Sequence, residues 1–212
     1  MAVSHTDSVG KILNYLKNAS SKVTLSRLFF RDYSCPAKCG GCCLKFSLDY
    51  FEGERWEKFK KLYPEKVSRF EKRTVDGVTV WTDWQKDNDT RWCRNLDMKD
   101  GRCGIHKSNP FSCEFELIKF MDKSSKTHLI KKLFGRGWQF ERVDGGKGAL
   151  CEMLPFDKTK IERDVELLEE LDDYGDRFKI KTKLKRIIAF LRRNLKQLKK
   201  GLIPKKETRF FD

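Results

Sequence analysis

The sequence predicts an α+β fold in which a small cysteine-rich domain precedes a pair of helices. Segments of helical periodicity alternate with β-hairpin patterns in the first part of the chain. Seven of the eight cysteines lie between residues 35 and 113, and the composition changes after Pro155. We therefore expect a metal-stapled domain with β-hairpins and short helices over residues 1–155, and a C-terminal helical hairpin over residues 156–212.

Apolar periodicity predicts the first helices. Residues 8–18 and residues 54–63 each place their apolar side chains on one helical face, and Pro64 is suited to open a further turn. Strands are expected over residues 117–120 and 128–134.

Two hairpins are expected between these helices and strands. Asp76-Gly77 lies between residues typical of strands and favours a tight turn. A second turn is expected around Lys99-Asp100-Gly101, with Cys93 and Cys103 on the two arms.

Two helices of opposite charge are expected at the C-terminal end. Thr159 and Glu162 fit a capping box, so an acidic helix is predicted to start there and to break at Gly175. Leucine and isoleucine then recur at spacings of four and three from Ile180 to Leu202. This pattern predicts one long helix with an apolar stripe and basic residues elsewhere.

The cysteines are the strongest functional signal. Four of them lie within nine residues, in the run Cys35-Pro-Ala-Lys-Cys39-Gly-Gly-Cys42-Cys43. A metal site needs several soft ligands that converge on one point, and glycines let the backbone wrap tightly around it. For Cys151 a small buried apolar side chain is an equal alternative. The candidate metal ligands are Cys35, Cys39, Cys42, Cys43, Cys93, Cys103, Cys113 and Cys151.

The expected compartment affects how these thiols are interpreted. Residues 1–10 lack the cationic start and apolar run of a secretory signal, and the apolar run Ile187–Leu191 is far too short for a transmembrane segment. We therefore expect a cytoplasmic protein. In a reducing cytosol, clustered cysteines are more often metal ligands or catalytic thiols than disulfides.

Taken in order, the cysteine motifs resemble those of a known family. The run Cys35–Cys43, then Cys93, then Gly101-Arg102-Cys103-x-Ile105-His106-x3-Pro110-x2-Cys113 is similar to the cysteine-cluster (CxxCxxCC) proteins, which are described as zinc- or iron-chelating. The resemblance covers about residues 33–120 and implies a small metal-binding domain. In this chain the first spacing is three residues where the family usually has two, and Asn109 replaces the usual Arg.

Cysteine ligands suit both an iron–sulfur cluster, including the 4Fe-4S type, and zinc. Zinc sites more often show two clean Cys-x2-Cys pairs, whereas this chain has one dense run and then single cysteines. An iron–sulfur cluster is therefore favoured. His106 lies near Cys103 in sequence, and it is expected to pack near the site or to join it as a ligand.

The net charge of +15 is concentrated at the C-terminal end, since residues 177–212 contain 14 basic and 2 acidic residues. Clustered cations of this kind can bind nucleic acid or an acidic protein partner. An alternative use is pairing with the acidic helix that precedes them. The candidate binding residues are Lys181, Lys183, Lys185, Arg186, Arg192, Arg193, Lys196, Lys199 and Lys200.

Three functions fit these patterns. The favoured one is a metal-cluster protein that transfers electrons to or from a redox partner, or that serves a larger enzyme as an accessory. A second is a zinc-stabilised module that docks through its basic helix. A third is a cluster-dependent modifying enzyme. Cys35-x3-Cys39-x2-Cys42 also matches the radical S-adenosylmethionine spacing, but the sequence lacks the long alternation of strands and helices that those enzymes need after the cysteines. No phosphate-binding loop, Gly-x-Ser-x-Gly or dinucleotide-binding glycine motif is present, so no catalytic residue is assigned.

Overall fold

The computed structural model describes about two thirds of the chain and confirms the α+β class. The described residues are 7–20, 23, 25, 31–34, 47–85, 93–97, 99–100, 102–115, 138–140, 149–204 and 210, with the backbone alone for 31–34, 138–140 and 149–155. The chain divides into two compact units. Unit 1 comprises Met1–Leu13, Ala37–Leu117 and Phe140–Ala149, and unit 2 comprises Asn14–Pro36, Ile118–Gln139 and Leu150–Asp212. The predicted boundary after residue 155 stays a prediction.

Strands come mostly in pairs between the helices along the described residues. The strands are β1 (Arg31–Ser34), β2 (Ser47–Phe51), β3 (Glu71–Val75), β4 (Val78–Trp84), β5 (Trp138–Phe140) and β6 (Ala149–Phe156). The α-helices are α1 (Ser8–Ala19), α2 (Glu54–Leu62), α3 (Phe111–Phe115), α4 (Lys158–Arg177) and α5 (Leu184–Leu198), and 3₁₀ helices span Pro64–Arg69 and His106–Ser108. The first two helices and the turn at Pro64 confirm the predictions from apolar periodicity. None of the described helices is long and apolar enough to cross a membrane.

Strands β2, β4 and β3 form one antiparallel sheet in that order. β3 and β4 are joined by Asp76 and Gly77, whose φ angles are 48° and 83°. Both residues are therefore left-handed, as in the tight turns that favour Asp-Gly. β2 pairs with the other side of β4, where Tyr50 lies opposite Trp81.

Where a second hairpin is expected, the described residues contain a single antiparallel bridge, between Leu96 and Cys103. Next to this bridge the Asp97 N–H donates to the carbonyl oxygen of Arg102 at 2.8 Å. In the described part of this segment, Cys103 thus lies in the bridge itself and not on an extended arm.

A buried carboxylate links the start of α1 to the sheet. Asp49, in β2, accepts hydrogen bonds from the Ser47 hydroxyl at 2.6 Å and the Thr82 hydroxyl at 2.7 Å. The Arg73 guanidinium lies 3.1 Å from Asp49 and 2.7 Å from Asp7, the residue before α1. A buried charge is tolerated when it is paired and hydrogen-bonded, so this network fixes the helix start against the sheet.

An aromatic cluster forms the core of unit 1. It consists of Tyr50 from β2, Trp56 and Phe59 from α2, and Phe70, all of them buried. Neighbouring ring centroids in this cluster lie 4.8–5.6 Å apart. Each such ring pair adds about 0.5–1.5 kcal/mol beyond the burial of its surface. The cluster is therefore a rigid core against which other segments of unit 1 pack.

A second sheet has the strand order β1-β6-β5, with β1 antiparallel to β6. Ser34, which precedes the first cysteine run in the chain, pairs with Glu152. The sequence pattern predicts none of these three strands. The strands that it does predict, over residues 117–120 and 128–134, lie outside the described residues.

Helix α4 begins earlier than the capping-box pattern indicates. Its cap is Asp157, whose Oδ1 accepts hydrogen bonds from the backbone N–H and the hydroxyl of Thr159, both at 2.7 Å. The predicted cap at Thr159 is wrong because this residue already lies in the first helical turn. Its N–H is one of the groups that a cap must satisfy.

The predicted break at Gly175 is also wrong, since α4 continues to Arg177 with Gly175 buried inside it. A Cβ atom at this position would lie 3.3 Å from the Ile180 carbonyl oxygen and 3.3 Å from Thr182 Cγ2. Glycine is thus needed for a close approach of the chain. The direction changes after the helix, at Lys179, where φ is 57°.

Helix α5 is shorter than predicted, and its buried face is turned relative to the predicted stripe. Ile180 precedes the helix, and Leu202 is 58% exposed after Gly201, where φ is 74°. Ile187 and Phe190, which the stripe omits, are buried. The spacings of the predicted stripe average about 3.7 residues, close to the 3.6 of a helical turn, so the stripe follows one helical face and tertiary packing buries a neighbouring one.

We predict that Gly175→Leu lowers the free energy of unfolding by about 1–3 kcal/mol, because the larger side chain meets backbone at a packed position. Urea denaturation of the full chain measures this loss. Ala189→Leu, at an exposed position of α5, is the matched control and should stay within about 0.5 kcal/mol of the parent. Equal stability of the two variants would contradict the close packing at Gly175.

Candidate metal centre

Three cysteines of unit 1 converge on the aromatic cluster. Cys93 is 6% exposed and belongs to the buried core, and Cys103 and Cys113 are half-buried and pack against the same core. They come from three separate places: a turn after β4, the isolated bridge, and helix α3. The fold thus places three cysteines that are distant in sequence on the same core.

The segment that carries Cys93 is attached to the end of β4. The Arg94 N–H donates to Gln85 Oε1 at 2.9 Å, and Arg94 Nη2 donates to the Trp84 carbonyl oxygen at 2.6 Å. The same guanidinium lies 3.4 Å from the buried carboxylate of Asp83. These contacts hold the backbone next to Cys93 in place.

Asn95 connects the Cys93 segment to the Cys103 segment. Its carbonyl oxygen accepts a hydrogen bond from the Gly104 N–H at 2.7 Å, and its amide nitrogen lies 3.9 Å from Cys93 Sγ. A Cβ atom on Gly104 would lie 3.2 Å from that carbonyl oxygen, so the approach of the two segments favours glycine. Amide N–H groups near sulfur are typical of thiolate metal sites.

Cys113 is held through contacts from β2 and α2. The Tyr50 hydroxyl donates to the Ser108 carbonyl oxygen at 2.5 Å, and Arg55 Nη2 lies 2.6 Å from the Glu114 carboxylate. These two residues thus fix the short segment on both sides of the cysteine. Cys113 itself donates its N–H to the Pro110 carbonyl oxygen at 2.9 Å, which starts the turn of α3.

Tyr50 and Arg55 also belong to the surroundings of the cysteines, although no sequence pattern indicates this. Each lies more than fifty residues from its partner near Cys113, and neither belongs to a cysteine motif. Short-range patterns contain no signal for such contacts. The alternation in β2, with Leu48 and Tyr50 facing one side, predicts at most that Tyr50 is buried.

The electrostatics agree with this convergence. Burial raises the pKa of the Cys93 thiol, a hydrogen bond from Asn95 opposes the rise, and the charge of Cys103 adds to it. Burial, and then the charges of Cys113 and Cys103, raise the pKa of Tyr50, which is therefore a neutral donor. Since metals bind the thiolate, ligation at Cys93 must release a proton.

The three described thiols fit part of a ligand set for zinc or an iron–sulfur cluster, since both take thiolates. Within the described ranges, no three His, Cys, Asp or Glu side chains are close enough to hold a metal ion. His106 is exposed on its 3₁₀ turn, and Cys151 lies in β6, where the backbone alone is described. The other predicted ligands, Cys35, Cys39, Cys42 and Cys43, lie outside the described residues.

The predicted basic residues on and beside α5 have two kinds of surroundings. Three of them pair with carboxylates of α4, and the Arg192 guanidinium holds the pKa of Glu169 below its ordinary value. Lys181, Arg186, Arg193, Lys196 and Lys200 are exposed, as is Lys183. Their role in binding stays a prediction. The pairs are Lys185 with Asp176 at 2.9 Å, Arg192 with Glu169 at 2.6 Å, and Lys199 with Glu162.

Comparison with known proteins agrees with the cysteine pattern. Residues 34–132, slightly less than half of the chain, match the model of the CxxCxxCC family, described as "Putative zinc- or iron-chelating domain". No curated protein and no solved structure matches the chain. The match includes Cys35 to Cys113 and ends before Cys151 and the helical pair. Over residues 34–132, this chain is therefore similar to the cysteine-cluster domain of the CxxCxxCC family.

Proposed function

We propose that this protein holds an iron–sulfur cluster through the cysteines of residues 34–132, and that the cluster serves in electron transfer or as an accessory to a larger enzyme. The observation that supports this most directly is the packing of Cys93, Cys103 and Cys113 on one aromatic cluster. The first cysteine run supplies the remaining ligands. Zinc is the alternative metal.

The three cysteine segments are held in place by contacts of the surrounding fold, which favours metal binding. The contacts from Gln85, Asn95, Tyr50 and Arg55 hold the three cysteine segments, so little backbone freedom is lost when a metal binds. Closing the site with the distant first run also couples metal binding to folding. This coupling suits a chain in which only 39% of the residues are hydrophobic.

The surroundings of the thiols favour an iron–sulfur cluster over zinc. The cysteine spacing lacks two Cys-x2-Cys pairs, and the Asn95 amide near Cys93 Sγ is a donor of the kind that tunes cluster potentials. Cys103 and Cys113 are half-buried, so one side of the centre lies near solvent. Such an edge would let an electron-transfer partner approach.

Metal and sulfide analysis of protein purified without air tests this proposal. We expect brown protein that contains iron and acid-labile sulfide, with a visible absorption band that dithionite bleaches. Colourless protein with stoichiometric zinc would refute the cluster and leave a thiolate zinc site. Protein without either metal would refute both.

A matched pair of variants in α3 tests the ligand assignment. Cys113→Ala should lose most of the bound metal and unfold at a lower urea concentration, because a thiolate ligand is removed. Ser112→Ala changes the neighbouring residue, a buried serine whose Oγ has no hydrogen-bond partner among the described residues. It should keep its metal and stay within about 0.5 kcal/mol of the parent. If both variants retain equal metal, Cys113 is not a ligand.

A further inference from the structure

We propose that α5 and the turn after it carry a binding surface for the phosphate backbone of nucleic acid. It is formed by Arg186, Arg193 and Lys196 of the helix and Lys200 of the turn, and it is independent of base sequence. We call these four residues the outer stripe. All four are exposed. The surface is separate from the cysteines, so its existence does not depend on which metal they hold.

Helical geometry aligns the outer stripe. Arg186, Arg193 and Lys200 are spaced seven residues apart, and Lys196 follows Arg193 by three. At 3.6 residues per turn, the three positions within α5 lie in an arc of about 80°, and at 1.5 Å per residue they extend over roughly 15 Å. Lys200 follows in the turn after the helix. The three helical cations therefore lie along one side of α5.

Helix α4 neutralises a different arc of the same helix. Lys185, Arg192 and Lys199 pair with its carboxylates, as described above. Among the residues that the structure describes, no carboxylate forms an ion pair with a cation of the outer stripe. The acidic helix thus leaves this row of positive charge uncompensated, which favours an anionic partner.

The apolar face of α5 is already occupied, which argues against a membrane surface as the partner. Leu184, Phe190, Leu191 and Leu198 have no measurable exposure, and Ile187 is 1% exposed. An interfacial helix needs a free apolar face to bury in the lipid. The outer stripe would offer a membrane surface only charged side chains, with no apolar face to insert into the lipid.

A regular polyanion matches this row better than a folded acidic protein does. Duplex DNA carries one negative charge per about 1.7 Å of its axis, so a row of roughly 15 Å always faces several phosphates whatever the base sequence. Carboxylates on a protein surface are interspersed with cations and have no fixed spacing. The long, flexible side chains of Lys and Arg can adjust to successive phosphates.

Salt-dependent binding of a fluorescently labelled DNA duplex to the full, metal-loaded chain tests the proposal. Four phosphate contacts predict a slope of log K against log salt of about −3 to −4, or about a hundredfold loss of affinity between roughly 50 mM and 200 mM salt. The triple variant Arg186→Gln, Arg193→Gln and Lys200→Gln should bring the slope to about −1 and the loss to about fourfold.

The matched control is Lys185→Gln, Arg192→Gln and Lys199→Gln, which removes the same formal charge from the arc that faces α4. This variant should keep a slope of about −3 to −4. Circular dichroism and metal analysis establish that both variants stay folded and loaded. An equal loss of DNA affinity in both triple variants would overturn the proposal. Net charge, and not the position of the cations, would then account for binding.

Two further outcomes would overturn the assignment of the partner. Binding to polyglutamate of equal charge as tightly as to the duplex would indicate an acidic protein. Tighter binding to vesicles of anionic lipid than to the duplex would indicate a membrane surface. If the parent protein does not bind the duplex at about 50 mM salt, the proposed binding surface is refuted.

Discussion

Unit 1 depends on the packing of its cysteine segments against the aromatic cluster. Tyr50 contributes to both structures, because its ring lies among Trp56, Phe59 and Phe70 while its hydroxyl holds the segment before Cys113. The sheet fixes Tyr50 in turn, through β2 and the buried carboxylate next to it. The sheet and the aromatic cluster thus hold the three described cysteines in position through the fold itself.

In the helical pair of unit 2, ion pairing with α4 determines which cations of α5 stay exposed to a partner. α4 and α5 bury their apolar faces and pair cations with carboxylates along one arc. The basic charge of the chain exceeds what α4 can neutralise, so a surplus of cations remains on the neighbouring arc of α5. The sequence predicts an excess of positive charge at this end of the chain. The ion pairs in the structure are needed to show which cations make up that excess.

Sequence patterns predict the features that local chemistry determines. The apolar periodicity of α1 and α2 and the Asp76-Gly77 turn depend on neighbouring residues, and these predictions agree with the structure. The role of Gly175 depends on the approach of residues 180–182, and that of Tyr50 on a segment 58 residues away. Such contacts come from the tertiary fold, so a single sequence contains no direct signal for them. The cysteine motifs predict a family and a chemistry, because ligand type and spacing are themselves local.

X-ray absorption at the metal edge of the anaerobically purified protein tests the central claim, a thiolate-held cluster, most directly. We expect a first shell of sulfur alone, at about 2.3 Å, with neighbouring iron atoms beyond it. A first shell made of nitrogen and oxygen would contradict thiolate ligation. In that case the convergence of Cys93, Cys103 and Cys113 would be a matter of core packing.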